Sequence, residues 1–463
     1  MPTSPLEPRD PEARIARLVD DGKYDFLIPR TNCGMIAVTS TIKGNKAVIF
    51  ASDATIKSGA LGVEGSKVIV TAYKAAMGAQ VPVIGIWHSG GARLSDGVAS
   101  LAAFGEVFQA MISASGRIPQ LSLVLGPTAG GGAYGPALTD VVVLAPEGRI
   151  FVTGPDVVKS VTGEDIDMEL LGGPEAHKKN SGLAHIISTT EEEAIEDIRD
   201  LTALFANQGF MNSDVKDLDL SVFVPASKVR SYEVRPLIDG ILDKESERIE
   251  LLAMWAPNMT TIIGRLGGAT VGVLANNPAY IGGVLDAAAG EKAARFVRTC
   301  DAFGIPLIVI ADVQGFLPGA GQEWEGAVRR GAKLLHAFGE SVVPRVTLIT
   351  RRAYGGAYVA MNSKALGATR VFAWPQAEVS VMGAVAAVRV LHRRLLADIP
   401  TEQREAMELE LAAEHEKVSG GVIRALEIGA VDQMVEPHRT RSALAQSIAD
   451  APHRRGSHGN IPL

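Results

Sequence analysis

Short runs of aliphatic and β-branched residues alternate with stretches of helical periodicity along most of this chain. Residues 81–86 (VPVIGI) and 305–310 (IPLIVI) have the composition of buried strands. Residues 97–114 and 326–339 instead place apolar residues at helical spacing. Alternation of buried strands with helices is typical of α/β proteins, whose mainly parallel sheet is covered on both faces. The pattern therefore predicts an α/β fold.

The same order of landmarks occurs twice in the sequence. A proline leads one apolar strand, a second proline leads another, and a glycine-rich turn then ends in a tyrosine. The matching pairs are Pro82 and Pro306, Pro119 and Pro344, and Tyr134 and Tyr358. Their separations of 224, 225 and 224 residues predict two copies of one domain, related by internal duplication. We place the junction in the polar, proline-bearing stretch 223–232, which gives domains at residues 1–226 and 227–463.

Composition and charge exclude several classes of function. The 463 residues carry a formal net charge of −7, so we expect neither nucleic acid nor an anionic membrane as a partner. The sequence shows no apolar leader and no run of about 18 uninterrupted apolar residues, which predicts a soluble protein without a membrane span. The two cysteines, Cys33 and Cys300, lie at unmatched places in the two copies and favour a reducing, cytoplasmic location.

The strongest candidate chemistry lies at the two glycine-rich turns, residues 129–134 (AGGGAY) and 354–358 (YGGAY). Each turn follows a predicted buried strand and begins a helix of small residues. A helix N-terminus presents unpaired backbone N–H groups with partial positive charge, and glycine removes side chains that would keep a ligand away. Such a turn can hold a carbonyl oxygen as it becomes an oxyanion. Close packing of helix against strand is the alternative explanation, and the duplication favours the oxyanion site.

Other familiar motifs are incomplete. Residues 319–321 (GAG) begin a dinucleotide-binding fingerprint, but Trp324 stands where its third glycine belongs. Ser89 follows His88 without the Gly-x-Ser-x-Gly turn of a nucleophilic serine. No Gly-x-x-x-x-Gly-Lys phosphate loop is present, and the nine histidines show no metal-ligand spacing, so we expect neither ATP chemistry nor a metal. Lys159 is interpreted as a structural residue or a phosphate contact rather than a base.

The two turns belong to a set of motifs that covers almost the whole chain. In the first half these are residues 87–94 (WHSGGARL), 135–140 (GPALTD), 151–164 (FVTGPDVVKSVTGE) and 171–173 (LGG), and in the second half residues 275–278 (ANNP), 292–298 (KAARFVR), 315–319 (GFLPG), 330–335 (RGAKLL) and 381–384 (VMGA). In them the sequence resembles the carboxyltransferase subunits of biotin-dependent acyl-CoA carboxylases, which belong to the ClpP/crotonase superfamily. Within that family, the length and the Asn-Ile-Pro-Leu ending look most like the beta subunits of actinobacterial acetyl/propionyl-CoA carboxylases.

This resemblance implies two tandem crotonase-like domains and a chemical role for each glycine turn. The first domain would bind acyl-CoA, with the N–H groups of Gly130 and Gly131 on the thioester oxygen as the enolate forms. The second would bind carboxybiotin, with Gly356 and Ala357 on the ureido oxygen. Carboxybiotin would release carbon dioxide, and its freed nitrogen would accept the α-proton of the acyl group. The enolate would then attack the carbon dioxide to give malonyl-CoA or methylmalonyl-CoA, a step of fatty acid and lipid metabolism.

Further contacts are implied around the same two turns. The substrate-binding residues expected on the acyl-CoA side are Ser89, Gly90, Gly91, Ala92, Arg93, Tyr134 and Val359, and those expected on the biotin side are Gly315, Phe316 and Tyr358. Arg93 is a candidate contact for the phosphates of coenzyme A, with a surface ion pair as the alternative. Val359 offers a small apolar surface that admits the alkyl tails of acetyl and propionyl groups alike.

The resemblance also implies an assembly. The family forms its active site across a dimer interface and is usually hexameric, so we expect a homohexamer built from dimers. The chain carries no Ala-Met-Lys-Met biotinylation motif, which implies that biotin arrives on a separate alpha subunit together with the ATP-dependent carboxylase.

Two other functions stay open. One is a biotin-dependent acyl-CoA decarboxylase subunit coupled to a membrane ion pump, and the other is a catalytically idle assembly subunit of a carboxylase complex. A hydratase or isomerase is disfavoured, because such enzymes need one copy of the domain and a carboxylate at the pocket.

Three positions depart from the family's usual motifs. Gln314 replaces the proline of an Asp-Val-Pro-Gly-Phe turn, which restores an N–H group and adds freedom beside the expected biotin pocket. Val385 replaces the usual charged residue after Met-Gly-Ala, and Ala176 stands where a Gly-Gly-x-x-Thr-His pattern has threonine. None of these positions supplies an oxyanion donor, so we expect activity to be retained and biotin affinity to be the property affected.

Overall fold

The computed structural model describes residues 7–227, 230–419 and 421–462, and the chain forms two compact units. Unit 1 contains the chain up to Gln208, the segment Glu247–Trp255 and the residues from Ser457 onward, and unit 2 contains Gly209–Ser246 and Ala256–Gly456. Segments that are distant in sequence therefore complete unit 1, and no single cut of the chain separates the two units.

The chain first leaves unit 1 after Gln208, earlier than the junction expected from the sequence. The stretch 223–232 belongs to unit 2, and its residues Lys228 and Val229 lie outside the described residues. The boundary after residue 226, which separates the expected acyl-CoA and biotin domains, stays a prediction.

Strands occur in both units. In chain order they are β1 (Asp25–Phe26), β2 (Met35–Ile42), β3 (Asn45–Ser52), β4 (Val83–Ser89), β5 (Gln120–Ala129), β6 (Val141–Leu144), β7 (Arg149–Phe151), β8 (Ile186–Ile187), β9 (Ile249–Leu251), β10 (Met259–Leu266), β11 (Ala269–Asn276), β12 (Leu307–Val313), β13 (Arg345–Tyr354), β14 (Arg370–Ala373), β15 (Glu378–Ser380) and β16 (Gln433–Met434). Strand β9 lies in the segment that returns to unit 1.

Helices fill most of the connections. They are α1 (Pro11–Leu18), α2 (Val63–Ala79), α3 (Val98–Ala114), α4 (Gly131–Ala137), α5 (Pro155–Thr162), α6 (Met168–Gly172), α7 (Pro174–Ala176), α8 (Glu191–Ala206), α9 (Arg235–Ile241), α10 (Ala287–Phe303), α11 (Ala320–Trp324), α12 (Ala327–Glu340), α13 (Gly355–Ala360), α14 (Ala384–Leu391), α15 (Arg393–Ala397), α16 (Thr401–Ser419), α17 (Gly421–Glu427) and α18 (Thr440–Ala449). Among the residues that the structure describes, no helix combines the length and apolar character of a membrane span.

The sheet of unit 1 is antiparallel at one edge and parallel elsewhere. Its strand order is β1-β2-β3-β4-β5-β6-β8, and β7 pairs with the last residues of β5. β2 and β3 are antiparallel with Met35 opposite Ser52, whereas β4 and β5 are parallel with Val83 opposite Gln120. Because β4 and β5 are parallel, their carboxyl ends reach the same edge of the sheet, where the first glycine-rich turn follows β5.

Unit 2 repeats this arrangement strand by strand. Its sheet contains the order β10-β11-β12-β13-β14-β16, and β15 pairs with the last residues of β13. β10 and β11 are antiparallel with Met259 opposite Asn276, and β12 and β13 are parallel with Leu307 opposite Arg345. Strands β10 to β16 thus correspond one to one with β2 to β8. The predicted α/β fold and its internal duplication are confirmed.

Each unit has its own apolar core. In unit 1 the ring of Phe50 meets that of Trp87 edge-on at a centroid distance of 5.2 Å, and the Trp87 indole N–H donates to the Ser122 hydroxyl at 2.9 Å. In unit 2 the fully buried Trp374 donates its indole N–H to the Thr440 hydroxyl at 3.0 Å. Both buried indole N–H groups therefore have a hydrogen-bond acceptor, and neither tryptophan leaves an unpaired polar group in its core.

Candidate active site

The first glycine turn joins the central strand β5 to helix α4 through Gly130. Gly130 has φ = +58° and ψ = −131°, a conformation that residues with a β-carbon rarely adopt. A β-carbon built there would meet no atom closer than the Val152 carbonyl oxygen at 3.9 Å. The direction of the backbone, and not crowding, therefore requires glycine at this position.

Hydrogen bonding in this turn decides which amides stay available. The Gly130 N–H donates to the Phe151 carbonyl oxygen at 3.2 Å, and the Ala133 N–H donates to the Gly130 carbonyl oxygen at 3.1 Å. Gly131 and Gly132 lie in the first turn of α4, where backbone N–H groups have no intrahelical acceptor. The geometry thus moves the candidate donor pair one residue along the chain, from Gly130 and Gly131 to Gly131 and Gly132.

The loop after β4, residues 89–93, lies against this turn. Gly91 has φ = +92°, and a β-carbon there would lie 3.1 Å from the Ala129 carbonyl oxygen. The Ser89 hydroxyl accepts the Gly91 N–H at 3.2 Å and lies 3.2 Å from the β-carbon position of Gly132. The structure therefore brings this loop and the candidate donor pair together.

Main-chain contacts hold the rest of the loop. The Gly90 N–H donates to the Ser58 carbonyl oxygen at 2.9 Å, and Ala92 forms a single β-bridge with Leu61. Ser89 is only 3% exposed. Such burial suits a hydroxyl that holds the loop in place and does not suit a nucleophile that must be open to substrate.

Arg93 fixes the end of this loop. Its Nη2 donates to the carbonyl oxygens of Cys33, at 2.6 Å, and Ala60, at 3.2 Å. The guanidinium thus binds main-chain carbonyls of its own unit, and its contact with the phosphates of coenzyme A stays a prediction.

Aromatic side chains form an apolar surface beside the first donor pair. The Phe104 ring lies 3.4 Å from the β-carbon position of Gly131. Tyr134 is 49% exposed, and its ring lies 6.3 Å from that of Phe108, edge to face. Three aliphatic residues that precede Phe104 in the chain at helical spacing are exposed: Leu94, which lies just before α3, and Val98 and Leu101, which lie in α3.

The second glycine turn joins β13 to α13. Gly355 has φ = +58°, the same value as the glycine that begins the first turn, and a β-carbon there would lie 3.0 Å from the Val381 carbonyl oxygen. Gly356 and Ala357 lie in the first turn of α13, where backbone N–H groups lack an intrahelical acceptor. The predicted pair of Gly356 and Ala357 is thus equivalent to Gly131 and Gly132 of unit 1.

The tyrosines near the two turns are not equivalent. The first glycines of the turns are 225 residues apart, and in this register Tyr134 corresponds to Val359, not to Tyr358. Tyr134 and Val359 are both partly exposed, the latter by 42%. The Tyr358 hydroxyl instead donates to the Ala430 carbonyl oxygen at 3.1 Å, and burial raises the pKa of Tyr358. The predicted match between the tyrosines is therefore one residue out of structural register.

Phe316 supplies the aromatic surface of the second turn. It follows Gly315, which has φ = +146°, and forms a single β-bridge with Leu285. The β-carbon position of Gly331 lies 3.1 Å from the Phe316 ring, and that of Gly356 lies 4.0 Å from it. Phe316 is 37% exposed, so the ring rests against glycines of α12 and α13 while part of it stays open.

The family model of the carboxyl transferase domain matches residues 16–456, which is nearly the whole chain. The chain belongs to the carboxyl transferase family.

Two relatives match this carboxyl transferase along nearly their full length. The chain is 57% identical over 461 residues to the biotin-dependent acetyl-/propionyl-coenzyme A carboxylase beta6 subunit of Mycobacterium tuberculosis, covering 99% of this chain and 98% of the relative. It is 52% identical over 466 residues to the propionyl-CoA carboxylase beta chain of Rhodococcus erythropolis, with coverage of 99% and 98%.

A solved structure gives the same result for the fold. Transcarboxylase 12S, a hexamer with methylmalonyl-coenzyme A and methylmalonic acid bound, superposes with a TM-score of 0.90 at 35% identity. The match covers 98% of this chain and 92% of the transcarboxylase chain. The predicted family, enzyme class and two-domain fold are confirmed.

Strands β12 and β13 of this carboxyl transferase hold a buried ion pair that the sequence analysis missed. Arg351 Nε donates to Asp312 Oδ2 at 2.7 Å, and Arg352 Nε lies 3.3 Å from Asp312 Oδ1. The Arg351 guanidinium also lies 4.6 Å from the centre of the Tyr232 ring. Asp312 comes shortly before Phe316 in the chain, so the pair anchors the strand end from which the loop departs. The sequence did contain a sign of this pair, since the consecutive residues Arg351 and Arg352 follow a predicted buried strand.

The three departures from the family's motifs lie in different parts of unit 1 and unit 2. Gln314 is exposed, and its side-chain nitrogen lies 3.2 Å from the β-carbon position of Gly282. Val385 packs against a small cluster of α14–α16, and Ala176 ends the short helix α7 in unit 1. Of these three residues, Gln314 is the one that adjoins the Phe316 loop in the chain.

Proposed function

We propose that this carboxyl transferase moves a carboxyl group from carboxybiotin, carried by a separate biotinylated alpha subunit, to the α-carbon of acetyl-CoA or propionyl-CoA. The products are malonyl-CoA and methylmalonyl-CoA. The observation that carries the proposal is the pair of equivalent main-chain donor sites at the starts of α4 and α13. Two carbonyl compounds gain negative charge in this reaction, and the chain has one donor pair for each.

Unit 1 is the proposed acyl-CoA side. Loss of the α-proton turns the thioester carbonyl into an enolate, whose oxygen accepts the N–H groups of Gly131 and Gly132. One such donor typically contributes about 3–4 kcal/mol to transition-state stabilisation. The Phe104 and Tyr134 rings beside this pair give apolar surface that suits a short acyl chain.

Unit 2 is the proposed biotin side. At the β-carbon position of Gly356 the nearest atom is in the Phe316 ring, 4.0 Å away, so a flat ring has room to approach the amides. Gly356 and Ala357 would hold the ureido oxygen, and Phe316 would pack against the ring. When bound, carboxybiotin supplies the carboxyl group and a nitrogen that accepts a proton. The residues of this chain then bind and orient the two reactants, and no side-chain base is required.

A second copy of this chain completes the proposed site. Large apolar side chains are exposed in both units: Leu94, Val98 and Leu101 in unit 1, and Trp324, Val328 and Val381 in unit 2. Exposed apolar surface of this kind marks protein contacts. Transcarboxylase 12S assembles as a hexamer. We propose the same assembly here, with unit 1 of one copy facing unit 2 of another.

A reconstituted assay tests the proposed activity. The purified chain is mixed with its biotinylated alpha subunit, ATP, labelled bicarbonate and one acyl-CoA at a time, with acetyl, propionyl and butyryl chains compared. We expect labelled malonyl-CoA or methylmalonyl-CoA, and none when the alpha subunit is omitted. Absence of any carboxylated short acyl-CoA would count against the proposal.

Mixed oligomers test whether each site takes one unit from each of two copies. Gly131→Val blocks the donor pair of unit 1, and Gly356→Val blocks that of unit 2, so each variant alone should be inactive. In a mixed dimer, one of the two sites combines an intact unit 1 with an intact unit 2. Random mixing should therefore restore roughly a quarter of wild-type turnover, because half of the dimers are mixed. If both units of one copy formed the site, mixing would restore nothing.

A further inference from the structure

Tyr354 leads from β13 into the second glycine turn. It is the last residue of β13, directly before Gly355, and its side chain is buried. Its hydroxyl donates a hydrogen bond to Oε2 of Glu378, the first residue of β15. A hydrogen bond to a carboxylate is stronger than one between neutral groups. The start of the turn is therefore attached to β15 by a side chain, in addition to the pairing of the two strands.

The register of these strands explains how the two side chains meet. β13 and β15 are parallel, with Arg352 opposite Glu378 and Tyr354 opposite Ser380. Side chains two residues apart on a strand lie on the same face. The Tyr354 hydroxyl therefore reaches Glu378 diagonally across the two strands.

The segment that follows β15 contacts both the tyrosine and the turn. A β-carbon at Gly383 would lie 3.6 Å from the Tyr354 ring, and one at Gly355 would lie 3.0 Å from the Val381 carbonyl oxygen. The ring and the first glycine of the turn thus meet the same short stretch, residues 381–383. Protein interiors are closely packed, so a movement of the ring is passed to the backbone that begins the turn.

The equivalent position in unit 1 holds an alanine. Ala129 stands directly before Gly130, as Tyr354 stands directly before Gly355. An alanine side chain cannot form a hydrogen bond across the strands. In unit 1 the turn is held by the Gly130 N–H, which donates to the Phe151 carbonyl oxygen at 3.2 Å. The contact between tyrosine and glutamate is therefore a property of the second turn and not of the fold that both units share.

We propose that Tyr354 and Glu378 form a positioning pair, which holds the amides of Gly356 and Ala357 where they receive the ureido oxygen of biotin. The inference rests on the proposed function, in which negative charge on that oxygen grows as the carboxyl group leaves. The pair acts through the backbone of the turn and not by contact with a reactant. A misplacement of about 1 Å in such a site can cost about 100-fold in rate.

Removal of the tyrosine hydroxyl tests this role. Tyr354→Phe keeps the ring but loses the bond to Glu378, so kcat for carboxyl transfer should fall about 10- to 100-fold. The KM for acyl-CoA should stay at the wild-type value, because unit 1 is unchanged. Tyr24→Phe is the matched control, since it breaks the hydrogen bond of 2.7 Å from a tyrosine to Glu12 in unit 1, and it should keep the wild-type kcat.

Two results of this comparison would overturn the inference and leave the proposed function standing. One is a wild-type kcat for Tyr354→Phe beside an active wild-type enzyme. The other is an equal loss of kcat in Tyr24→Phe, which would show a general effect of losing such a bond.

Variants of the glutamate test the pairing itself. Glu378→Gln keeps an oxygen that accepts the hydroxyl, so it should keep most of the activity, whereas Glu378→Ala should lose as much as Tyr354→Phe. The double variant Tyr354→Phe/Glu378→Ala should be no slower than either single variant, because each has already lost the same bond. Losses that multiply in the double variant would contradict the pairing.

Amide hydrogen exchange of the full chain measures the positioning without the transfer assay. Tyr354→Phe should speed exchange in α13 and leave exchange in α4, the equivalent helix of unit 1, unchanged. Exchange in α13 equal to that of the wild type would overturn the inference. If the wild type itself transferred no carboxyl group, that result would count against the proposed function, and the exchange in α13 would still decide whether the pair positions the turn.

Discussion

Gly130 and Gly355 share a backbone φ of +58°, each at the point where the long central strand of its unit turns into a helix. These two glycines are 225 residues apart. At the same separation, Gly131 and Gly132 are equivalent to Gly356 and Ala357. What the two turns have in common is thus the conformation of the first glycine and the place of the next two residues in the first turn of a helix.

Alanine at either first glycine should destabilise the protein. A β-carbon in this region of φ costs about 1–3 kcal/mol, because the backbone becomes strained. Gly355→Ala should cost more than Gly130→Ala, since its new β-carbon lies 3.0 Å from the Val381 carbonyl oxygen. The shift of the urea denaturation midpoint measures both. Gly78→Ala in α2 is the control, with no atom within 4 Å of the new β-carbon and better helix propensity. An unchanged midpoint for Gly130→Ala would refute the strain argument.

Local sequence was sufficient to predict a strand, a glycine turn and a helix at both sites, because apolar runs and glycine doublets report directly on backbone geometry. It could not show that the Gly130 N–H is occupied, since the acceptor, Phe151, belongs to β7 and pairs with β5 only in the folded sheet. The sequence comparison matched Tyr134 with Tyr358 because both turns contain a tyrosine. The two tyrosines occupy different backbone positions in their turns, so this match was one residue out of register.

Removing the charge of Asp312 should destabilise unit 2 strongly. Asp312→Asn leaves Arg351 buried without its counter-charge, which typically costs about 3–5 kcal/mol. Glu427→Gln, which breaks an exposed pair with Arg424, should cost about 0–1 kcal/mol. Urea denaturation compares the two variants. Equal small effects would show that the buried pair contributes little.

Stability should fall as the pH falls through the range set by His88. The pKa of this imidazole is about 4 in the folded chain against an ordinary value of 6.5, mainly because of burial. The unfolded chain therefore takes up the proton first, and the contribution is complete above pH 6.5 and lost progressively down to pH 4. His88→Gln should flatten this part of the Tm profile, whereas His336→Gln, at an exposed position, should not. Parallel profiles for wild type and His88→Gln would contradict the assignment.

Contacts between residues that are distant in the chain could not be predicted from the sequence. Arg14 and His88 are 74 residues apart, and no periodicity within a window links them. The segment Glu247–Trp255 returns to unit 1 although its composition gives no sign of a boundary. Both features depend on which elements pack together, which hydrophobic patterns specify only coarsely.

Truncation of Phe316 should affect the biotin donor selectively. Phe316→Ala removes the aromatic surface beside Gly356, and an aromatic contact is typically worth about 0.5–1.5 kcal/mol beyond its buried area. We expect a higher KM for the biotinylated partner and an unchanged KM for acyl-CoA in the transfer assay. Phe210→Ala, at an almost fully exposed position of unit 2, is the matched control. A selective rise in the KM for acyl-CoA would reverse the assignment of the two units.

Exchange of one backbone amide for an ester tests the role of the main-chain donors most directly, because it removes an N–H group and keeps the side chain. Lactic acid in place of Ala357 deletes a proposed donor of unit 2. Lactic acid in place of Ala133 deletes an N–H that is already bonded to the Gly130 carbonyl oxygen. We predict that kcat falls about 100- to 1000-fold for the ester at Ala357 and stays near the wild-type value for the ester at Ala133. A wild-type kcat for the ester at Ala357 would contradict the account.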